Sequence, residues 1–428
     1  MKKLNIAIIG LGNIGSYLYK YLGENKKILT EKNNCLPLVK YVSAKNKNKK
    51  RKIKIKKTQW LNNYLDATNL KNVDLIVELI GGSEGAAKKL VFTALKNKKH
   101  VVTANKALVA KYGDQLAIIA EKNKVNFEFE ASVCGGVPIV RSLKEGLVAN
   151  KISKIYGIFN GTSNYILSSM DKDNKSFQDV LSKAQKLGYA ESNPSADLNG
   201  DDVSSKLKIL SSLCFNSFLN NNIYVEGIKE IDKVDIDNAN QLGYKIKLLG
   251  FAELLNNKIL QRVHPTLIKN DSYVASIDGV LNAVIIDGKP VGKSTIQGEG
   301  AGAAATTSAL ISDISSISRG NVKFPFSLSS KERKKMNFEN IENRFFSAYV
   351  RFEVLDKPGV LSNITNIFSK YNVSIKRLLQ NPSKNKKASS IIIITHKSKN
   401  KYLFKILKET SKKKYIKSKP KLIRIDDN

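Results

Sequence analysis

Cysteine is scarce in this sequence, acidic residues are few, and long apolar runs are absent. The cysteines Cys35, Cys134 and Cys214 show no CxxC spacing, so neither a disulfide framework nor a zinc site is indicated. No segment approaches the ~18 consecutive apolar residues of a membrane-spanning helix. The opening MKKLNIAIIG is interrupted at once by GLGNIG and no small-residue cleavage site follows, which argues against a signal peptide. We therefore expect a cytoplasmic protein with no membrane partner.

The shortage of acidic residues leaves a large excess of positive charge. The 428 residues include 72 lysines and arginines against 37 aspartates and glutamates, a formal charge of +35. Such an excess is compatible with nucleic-acid binding, because cationic side chains release counterions from phosphates. Arginine, the better residue for bidentate contacts, is scarce, and the lysines are spread along the chain apart from runs at 45–57 and 411–421. We expect a solvated lysine-rich surface and no specific nucleic-acid partner.

The apolar pattern divides the chain into parts, as its length predicts. In residues 1–150, apolar runs of strand length alternate with helical stretches, which predicts an α/β domain with a parallel sheet; its strands are expected at 4–9, 38–43, 75–79, 101–103 and 125–130. Residues 151–318 predict an α+β domain, with 298–318 returning to the first domain. Residues 319–346 are polar and poorly periodic, which suits a linker. Residues 347–428 predict a ferredoxin-like βαββαβ module.

A glycine-rich turn follows the first predicted strand. Gly10, Gly12 and Gly15 stand where this strand meets a helical pattern, and such a turn lets a pyrophosphate approach the N–H groups of a helix N-terminus. A tight structural turn is the alternative, but the alternating α/β context favours a dinucleotide. After the second strand no acidic residue is placed to hold a ribose hydroxyl; Lys45 is there instead, which favours NADP over NAD unless it only belongs to the general lysine excess.

Two charged residues stand at the ends of predicted strands. Lys106 begins a helix after strand 101–103, where the helix dipole disfavours a cation by roughly 0.3–1 kcal/mol, so an anion or a reacting group is expected to compensate. Glu130 ends strand 125–130 before the glycine turn at 135–136, and a carboxylate beside backbone carbonyls is suited to a hard cation. A structural turn with an incidental acid explains Glu130 equally well.

The stretch GYAESNPSADLNGDDVSSK, residues 188–206, concentrates four carboxylates in a basic chain. Asp202 and Lys206 lie at i and i+4, on one face of the predicted helix. For a lone pair the ordinary interpretation is an exposed ion pair worth ~0.3–0.5 kcal/mol. The cluster, which includes Glu191 and Asp197, favours instead a site in which acids hold a substrate ammonium group and Lys206 gives or takes a proton at an oxygen.

These stretches together resemble homoserine dehydrogenase over nearly the whole chain. The resemblance rests on GLGNIG, ELIGG, VVTANKALVA, FEASVCGGVPIVRSLKEGL, GIFNGTSNYIL, GYAESNPSADLNGDDVSSKLKIL and GEGAG, in the family's order and spacing. Residues 347–428 are similar to an ACT domain, an amino-acid-sensing module. The resemblance implies a Rossmann-type cofactor domain, a substrate and dimerisation domain, and NAD(P)-dependent interconversion of L-aspartate 4-semialdehyde and L-homoserine in threonine and methionine biosynthesis. It also implies a homodimer or homotetramer.

The resemblance implies roles for individual residues. Lys206 would be the proton donor, Lys106 would lie between cofactor and substrate, and Glu191 and Asp202 would bind the substrate's amino group with support from Asp197. The residues facing the cofactor would be Gly10, Gly12, Asn13, Ile14, Gly15, Lys45, Lys106 and Gly300. A monovalent cation, Na⁺ or K⁺, would be held by Glu130 and the carbonyls of Val133, Gly135 and Val137.

The resemblance leaves two roles for the ACT module. It would bind threonine as a feedback inhibitor at the DKPGVL turn, residues 356–361, between modules that pair side by side. Alternatively it would only dimerise the enzyme, which the unusually basic segment 381–390 favours.

Two other functions are compatible with parts of the sequence. Cys134 could be a nucleophile that forms a thiohemiacetal with an aldehyde, with His100 or His264 as base. Because the family usually has a small residue at this position, we interpret Cys134 as a packing residue. The chain could also be a regulatory binder that kept both modules without catalysis, and the intact lysines and acids of the motifs argue against this.

Overall fold

The computed structural model describes residues 2–51, 53–55, 58–382 and 388–426. Lys52, Lys56 and Lys57 of the first lysine run lie outside the described residues, as do residues 383–387 of the basic segment. In the described ranges no helix is long and apolar enough to cross a membrane.

The first part of the chain forms a six-stranded parallel sheet. Its elements are β1 (Lys2–Ile9), α1 (Asn13–Glu24), α2 (Lys26–Asn33), β2 (Cys35–Ser43), β3 (Gln59–Trp60), β4 (Leu75–Glu78), α3 (Ala86–Lys96), β5 (His100–Thr103), α4 (Lys106–Asn123) and β6 (Phe127–Glu128). The strand order is β3-β2-β1-β4-β5-β6, the Rossmann order, whose switch point lies between β1 and β4. This confirms the predicted α/β fold. The strand predicted at 125–130 is shorter than expected, because Glu130–Ser132 forms a 3₁₀ turn.

The middle of the chain forms an antiparallel sheet with helices packed on it. Its elements are α5 (Ile139–Arg141), β7 (Lys151–Ile158), α6 (Gly161–Lys172), α7 (Phe177–Lys186), α8 (Ser195–Asn199), α9 (Asp201–Phe215), β8 (Tyr224–Val225), α10 (Lys233–Gln241), β9 (Tyr244–Leu255), β10 (Lys258–Lys269), β11 (Leu281–Lys289), β12 (Gly292–Glu299) and α11 (Ala303–Ser318). The strand order is β12-β11-β7-β9-β10. Helix α11 returns to the parallel sheet, where Leu310 and Ile314 share a core with Ile6 and Leu18.

Residues 319–346, the predicted linker, pack against the middle sheet and α4. Phe326 is fully buried. The Arg333 guanidinium donates to Asp114 at 2.7 Å and to the Ser217 carbonyl at 2.7 Å. A short strand, β13 (Asn337–Phe338), pairs with β10. The segment shows no apolar period because its buried groups are irregularly spaced and include the polar side chain of Arg333, which forms hydrogen bonds through Nη2.

The C-terminal part has the βαββαβ order that the sequence predicts. Its elements are β14 (Phe345–Leu355), α12 (Val360–Lys370), β15 (Ile375–Pro382), β16 (Ala388–Thr395), β17 (Ser398–Lys399), α13 (Asn400–Thr410) and β18 (Lys421–Asp426). The order of its main strands is β18-β14-β16-β15. Strand β18 also pairs in parallel with β10, with Thr266 opposite Arg424. The sheet of the C-terminal module therefore continues the middle sheet.

Candidate active site

Asp202 lies between two lysines that come from different domains. Lys106 is the first residue of α4, directly after β5, and its Nζ is 2.7 Å from Asp202 Oδ1. Lys206 lies one helical turn after Asp202 on α9, with its Nζ 2.8 Å from Asp202 Oδ2. Asp202 and Lys206 are buried, whereas the Lys106 side chain is 43% exposed. The pair at i and i+4 is therefore part of a buried cluster that opens on the Lys106 side, and it is not an exposed surface pair.

Asn160 completes this cluster, although the sequence analysis did not single it out. It follows β7 and caps α6, where its Oδ1 accepts from Ser163 N at 2.7 Å. Its Nδ2 donates to Asp197 Oδ1 at 2.7 Å and to Asp202 Oδ2 at 2.8 Å. An asparagine between a buried strand and a helix is a sequence signal for a cap, but its second contact, to distant acids, is visible only in the folded chain.

The charges of Asp202 and Lys206 depend on each other. Burial alone would raise the pKa of Asp202, but Lys206 and Lys106 outweigh burial and hold this pKa below its ordinary value. Burial would likewise lower the pKa of Lys206, and Asp202 reverses this, so the pKa of Lys206 is raised. Lys206 is therefore an ammonium group with three N–H donors. Asp202 and the Phe159 carbonyl, at 2.6 Å, accept two of them, and no described residue accepts the third.

The other two acids of the 188–206 stretch differ in their surroundings. The pKa of Asp197 is raised, first by burial and then by the negative charge of Asp202. Among the described residues only Asn160 donates to the Asp197 carboxylate. Glu191 is exposed in the segment between α7 and α8, and no described residue forms a hydrogen bond or an ion pair with its carboxylate. The structure thus brings Asp197, Asp202 and the two lysines together and leaves Glu191 outside this network.

The glycines around the junction of β1 and α1 are required for different reasons. A Cβ on Gly10, where φ is +109°, would lie 2.4 Å from the Leu79 carbonyl oxygen, and a Cβ on Gly15 would lie 2.0 Å from that of Gly10. Both glycines are needed for close packing. A Cβ on Gly12 would meet nothing within 4 Å, so Gly12 leaves an open face at the start of α1. This face fits the pyrophosphate of a dinucleotide.

Other residues expected at the cofactor lie around this turn. Asn13 and Ile14 are the first residues of α1. Lys45 is exposed in the segment after β2. Arg51, which the sequence analysis did not single out, lies in the same segment and donates from Nε to the Leu11 carbonyl at 3.1 Å. A second cation therefore stands beside the glycine turn.

The Glu130 carboxylate is hydrogen-bonded to backbone N–H groups. Its carboxylate accepts from the backbone N–H groups of Val140 at 2.9 Å and Arg141 at 2.6 Å, so it caps the short helix α5. Burial raises the pKa of this carboxyl to about 7. The Val137 carbonyl accepts from Ile139 N at 2.7 Å. Within the described ranges, no group of three or more His, Cys, Asp or Glu side chains could hold a metal ion. Two of the expected cation ligands thus already accept hydrogen bonds.

Gly300 lies against the segment that contains the remaining expected cation ligands. A Cβ on Gly135, where φ is +48°, would lie 2.6 Å from the Gly300 carbonyl oxygen. A Cβ on Gly300 would overlap the Asn282 side chain at 2.2 Å. Val133, two residues before Gly135 in the sequence, is fully buried. Only a glycine at residue 300 therefore allows the GEGAG loop to lie this close to the Asn282 side chain.

Known proteins match the chain over its whole length. Family profiles described as homoserine dehydrogenase, as its NAD binding domain and as an ACT domain match residues 138–315, 10–130 and 348–410. The homoserine dehydrogenases of Neisseria gonorrhoeae and Helicobacter pylori are each 38% identical, over 94% and 100% of both chains. The crystal structure of a homoserine dehydrogenase from Thiobacillus denitrificans is 36% identical with a TM-score of 0.93, and covers 100% of this chain and 99% of its own.

The chain belongs to the homoserine dehydrogenase family. It is an NAD(P)-dependent oxidoreductase of amino-acid biosynthesis, and it carries a C-terminal ACT domain. The predicted family, fold and enzyme class are thereby confirmed.

The position of Cys134 in this homoserine dehydrogenase does not suit a nucleophile. The side chain is fully buried, and burial raises the pKa of its thiol to about 11. A reactive cysteine needs a thiolate in an accessible electropositive setting. In the described part of the chain, neither His100 nor His264 forms a hydrogen bond to Cys134. These observations disfavour the thiohemiacetal alternative.

Proposed function

We propose that the enzyme interconverts L-aspartate 4-semialdehyde and L-homoserine with Lys206 as the proton donor. The observation that carries the assignment is the charged, buried Lys206 ammonium, whose third N–H has no acceptor among the described residues. The bound nicotinamide cofactor supplies the hydride to the carbonyl carbon. Lys206 gives a proton to the carbonyl oxygen as negative charge develops there, and takes one from the homoserine hydroxyl in the reverse direction.

The remaining polar groups have distinct roles in this proposal. Asp202 holds Lys206 in the charged state and pairs with both lysines, which fixes their positions. Lys106, whose side chain is partly exposed between the two domains, contacts the cofactor on one side and the substrate on the other. Asp197 and Glu191, whose carboxylates are less engaged than that of Asp202, bind the substrate's ammonium group.

The proposed cofactor is NADP, with NAD as the alternative. The glycine turn receives the pyrophosphate at the N-terminus of α1. Lys45 and Arg51, in the segment after β2, supply the positive charge that a ribose 2′-phosphate requires. The preference is tested by measuring kcat/KM with each dinucleotide.

We also propose a monovalent cation site at the Glu130 carboxylate and the backbone carbonyls of Val133, Gly135 and Val137. Because the Glu130 carboxylate already accepts two hydrogen bonds from α5, a cation would be bound by the remaining lone pairs of this carboxylate and by the three backbone carbonyls. Equal activity in KCl, NaCl and tetramethylammonium chloride at one ionic strength would contradict this site.

The proposed domain boundaries are those expected from the sequence, with the packed segment 319–346 joining the substrate domain to the ACT domain.

We propose a homodimer or homotetramer in which threonine binds to the ACT domains and inhibits the enzyme. The turn before α12 supports the effector site, since its Gly359 has φ of +83° and directly precedes the helix N-terminus.

The proton-donor assignment is tested with two lysine variants of α9 in the purified full-length enzyme. Lys206→Ala should lower kcat by ~10²–10⁴-fold, with a smaller change in KM, because proton transfer is lost while the substrate contacts remain. Lys208→Ala is the matched control, since Lys208 lies on the same helix and donates to Asn221 instead. Near-normal kcat in Lys206→Ala would refute the assignment.

A further inference from the structure

A glutamate that the proposed mechanism does not use is buried at the carboxyl edge of the parallel sheet. Glu78 is the last residue of β4, next to Ile9 of β1 and opposite Thr103 of β5, and it is fully buried. Its carboxylate Oε1 accepts hydrogen bonds from the backbone N–H groups of Ile80 at 2.7 Å and Gly81 at 3.0 Å. Its Oε2 accepts from the Thr103 hydroxyl at 2.6 Å. The carboxylate therefore ties the loop after β4 to the end of β5.

The loop after β4, residues 79–82, lies against the glycine turn proposed to receive the pyrophosphate. A Cβ on Gly10 would lie 2.4 Å from the Leu79 carbonyl oxygen, so the two backbones are in direct contact. Gly81 and Gly82 have φ of +84° and +78°, and a Cβ on either would meet nothing within 4 Å. Ligands of open α/β sheets bind beyond the carboxyl ends of the strands at the switch point, here between β1 and β4. The open face of the loop therefore borders the cofactor crevice.

Thr103 links the same carboxylate to the start of α4. Its Oγ1 accepts from the backbone N–H of Asn105 at 3.0 Å. The Asn105 side chain caps α4 and also donates from Nδ2 to the Gly82 carbonyl at 2.7 Å, which closes the network back onto the loop. Lys106 follows directly, and its Nζ reaches Asp202. The network therefore determines where the backbone of Lys106 begins.

We propose that Glu78 is a positioning residue, which through Thr103 and Asn105 sets the place of Lys106 beside the cofactor. This rests on the role proposed above for Lys106 between cofactor and substrate. Misplacement of a reacting group by about 1 Å can lower a rate by about 10²-fold, so a buried network that fixes Lys106 has a direct effect on turnover. A carboxylate suits this position because both of its oxygens accept, whereas a glutamine would turn its NH₂ group toward the Thr103 hydroxyl proton.

The link is tested at Thr103 in the purified full-length enzyme. Thr103→Val keeps the shape of the side chain but removes the hydroxyl, so Glu78 loses one donor and the Asn105 N–H loses its acceptor. We expect kcat/KM for homoserine to fall by about 10–100-fold. Thr103→Ser returns the hydroxyl and should restore most of the lost kcat/KM.

Thr68→Val is the matched control. Thr68 is also buried, and its hydroxyl donates to the Leu65 carbonyl at 2.7 Å, but it lies ahead of the amino end of β4, away from the cofactor crevice. Its replacement removes a comparable hydrogen bond, so it should lower the stability to denaturant as Thr103→Val does while leaving kcat/KM unchanged.

A double-mutant cycle shows whether the network acts through Lys106. Glu78→Gln should lower kcat/KM in the wild-type background and change it little further in Lys106→Ala. If Glu78→Gln does not fold, Thr103→Val takes its place in the cycle. Additive losses, normal kcat/KM in Thr103→Val or in Lys106→Ala, or equal losses in Thr103→Val and Thr103→Ser would overturn the proposal. Lys206→Ala reports separately on the proposed proton donor, so the failure of that assignment is distinguishable from the failure of this one.

Discussion

Asp202 is the counterion of two lysines at once, and this explains why a carboxylate remains ionised where burial opposes its charge. A buried charge is tolerated only when it is paired and hydrogen-bonded, and Asn160 adds the further donor that Asp202 needs. Asp202 in turn keeps Lys206 protonated in a buried position, where a lone lysine would lose its proton. The acid strength of the proposed proton donor is therefore set by its neighbour.

Asp202→Asn should shift the pH dependence of semialdehyde reduction. Without the carboxylate, burial acts on Lys206 alone and lowers its pKa, so the lysine loses its proton at a lower pH. The alkaline decline of kcat should therefore begin at a lower pH than in the wild type, as a pH–rate profile would show. Asp201→Asn, an exposed neighbour on the same helix, is the control and should keep the wild-type profile. An unshifted decline in Asp202→Asn would contradict this coupling.

Cys134→Ser should retain most of the activity. The thiol is buried and its pKa is raised to about 11, so it contributes no nucleophile. We expect kcat within about threefold of the wild type in a steady-state assay, since only a modest packing change results. Cys214→Ser, at another buried cysteine, controls for the general cost of burying a hydroxyl. Complete inactivation of a folded Cys134→Ser enzyme would instead restore the thiol mechanism.

At the scale of elements, the sequence predicts those strands and helices whose residues follow a local apolar periodicity. The strands and helices around the glycine turn and the βαββαβ order of the ACT domain were predictable, because apolar runs and turn residues mark their limits. Asn160 was not, since its partners Asp197 and Asp202 are distant in sequence. The packing of 319–346 was also missed, because Arg333 is buried through hydrogen bonds that no periodic pattern encodes.

Alanine at two glycines of the first turn should separate packing from cofactor binding. Gly15→Ala should destabilise the fold by ~1–3 kcal/mol, because the new Cβ would overlap the Gly10 carbonyl. Gly12→Ala should leave the stability nearly unchanged, since nothing lies within 4 Å, but should raise KM for NADP about tenfold or more by filling the face that receives the pyrophosphate. Denaturant unfolding and steady-state kinetics measure the two effects. A normal KM in Gly12→Ala would argue against this binding face.

At the scale of the whole molecule, the sheet that continues from the substrate domain into the ACT domain provides a physical connection to the active site. On β10, which pairs with β18, the Val263 carbonyl accepts from Glu226 N at 2.8 Å. The Val263 side chain also packs closely on Gly200, since a Cβ there would lie 3.3 Å from its Cγ1. Gly200 directly precedes α9, which carries Asp202 and Lys206. A shift of the ACT domain can therefore reach α9, which carries the proposed proton donor, through one strand.

Threonine at millimolar concentration should inhibit homoserine oxidation by the full-length enzyme. A useful effector needs a coupling free energy of about 1–3 kcal/mol, or roughly 5–150-fold in affinity. The full chain is the appropriate material, because removing the ACT domain would expose the edge of β10 and leave Glu226 without Arg424. Inhibition is measured as the initial rate against threonine concentration.

A variant in the turn before α12 locates this effect. Asp356 is exposed there, so its carboxylate is free to contact the ammonium group of a bound amino acid. Asp356→Asn should raise the threonine concentration for half-inhibition by about tenfold, because one charge-assisted contact is lost. Asp271→Asn, at an exposed aspartate of the substrate domain, should respond to threonine like the wild type. If threonine has no effect on the wild-type enzyme, the ACT domain is not a threonine sensor, and dimerisation is then the role that remains for it.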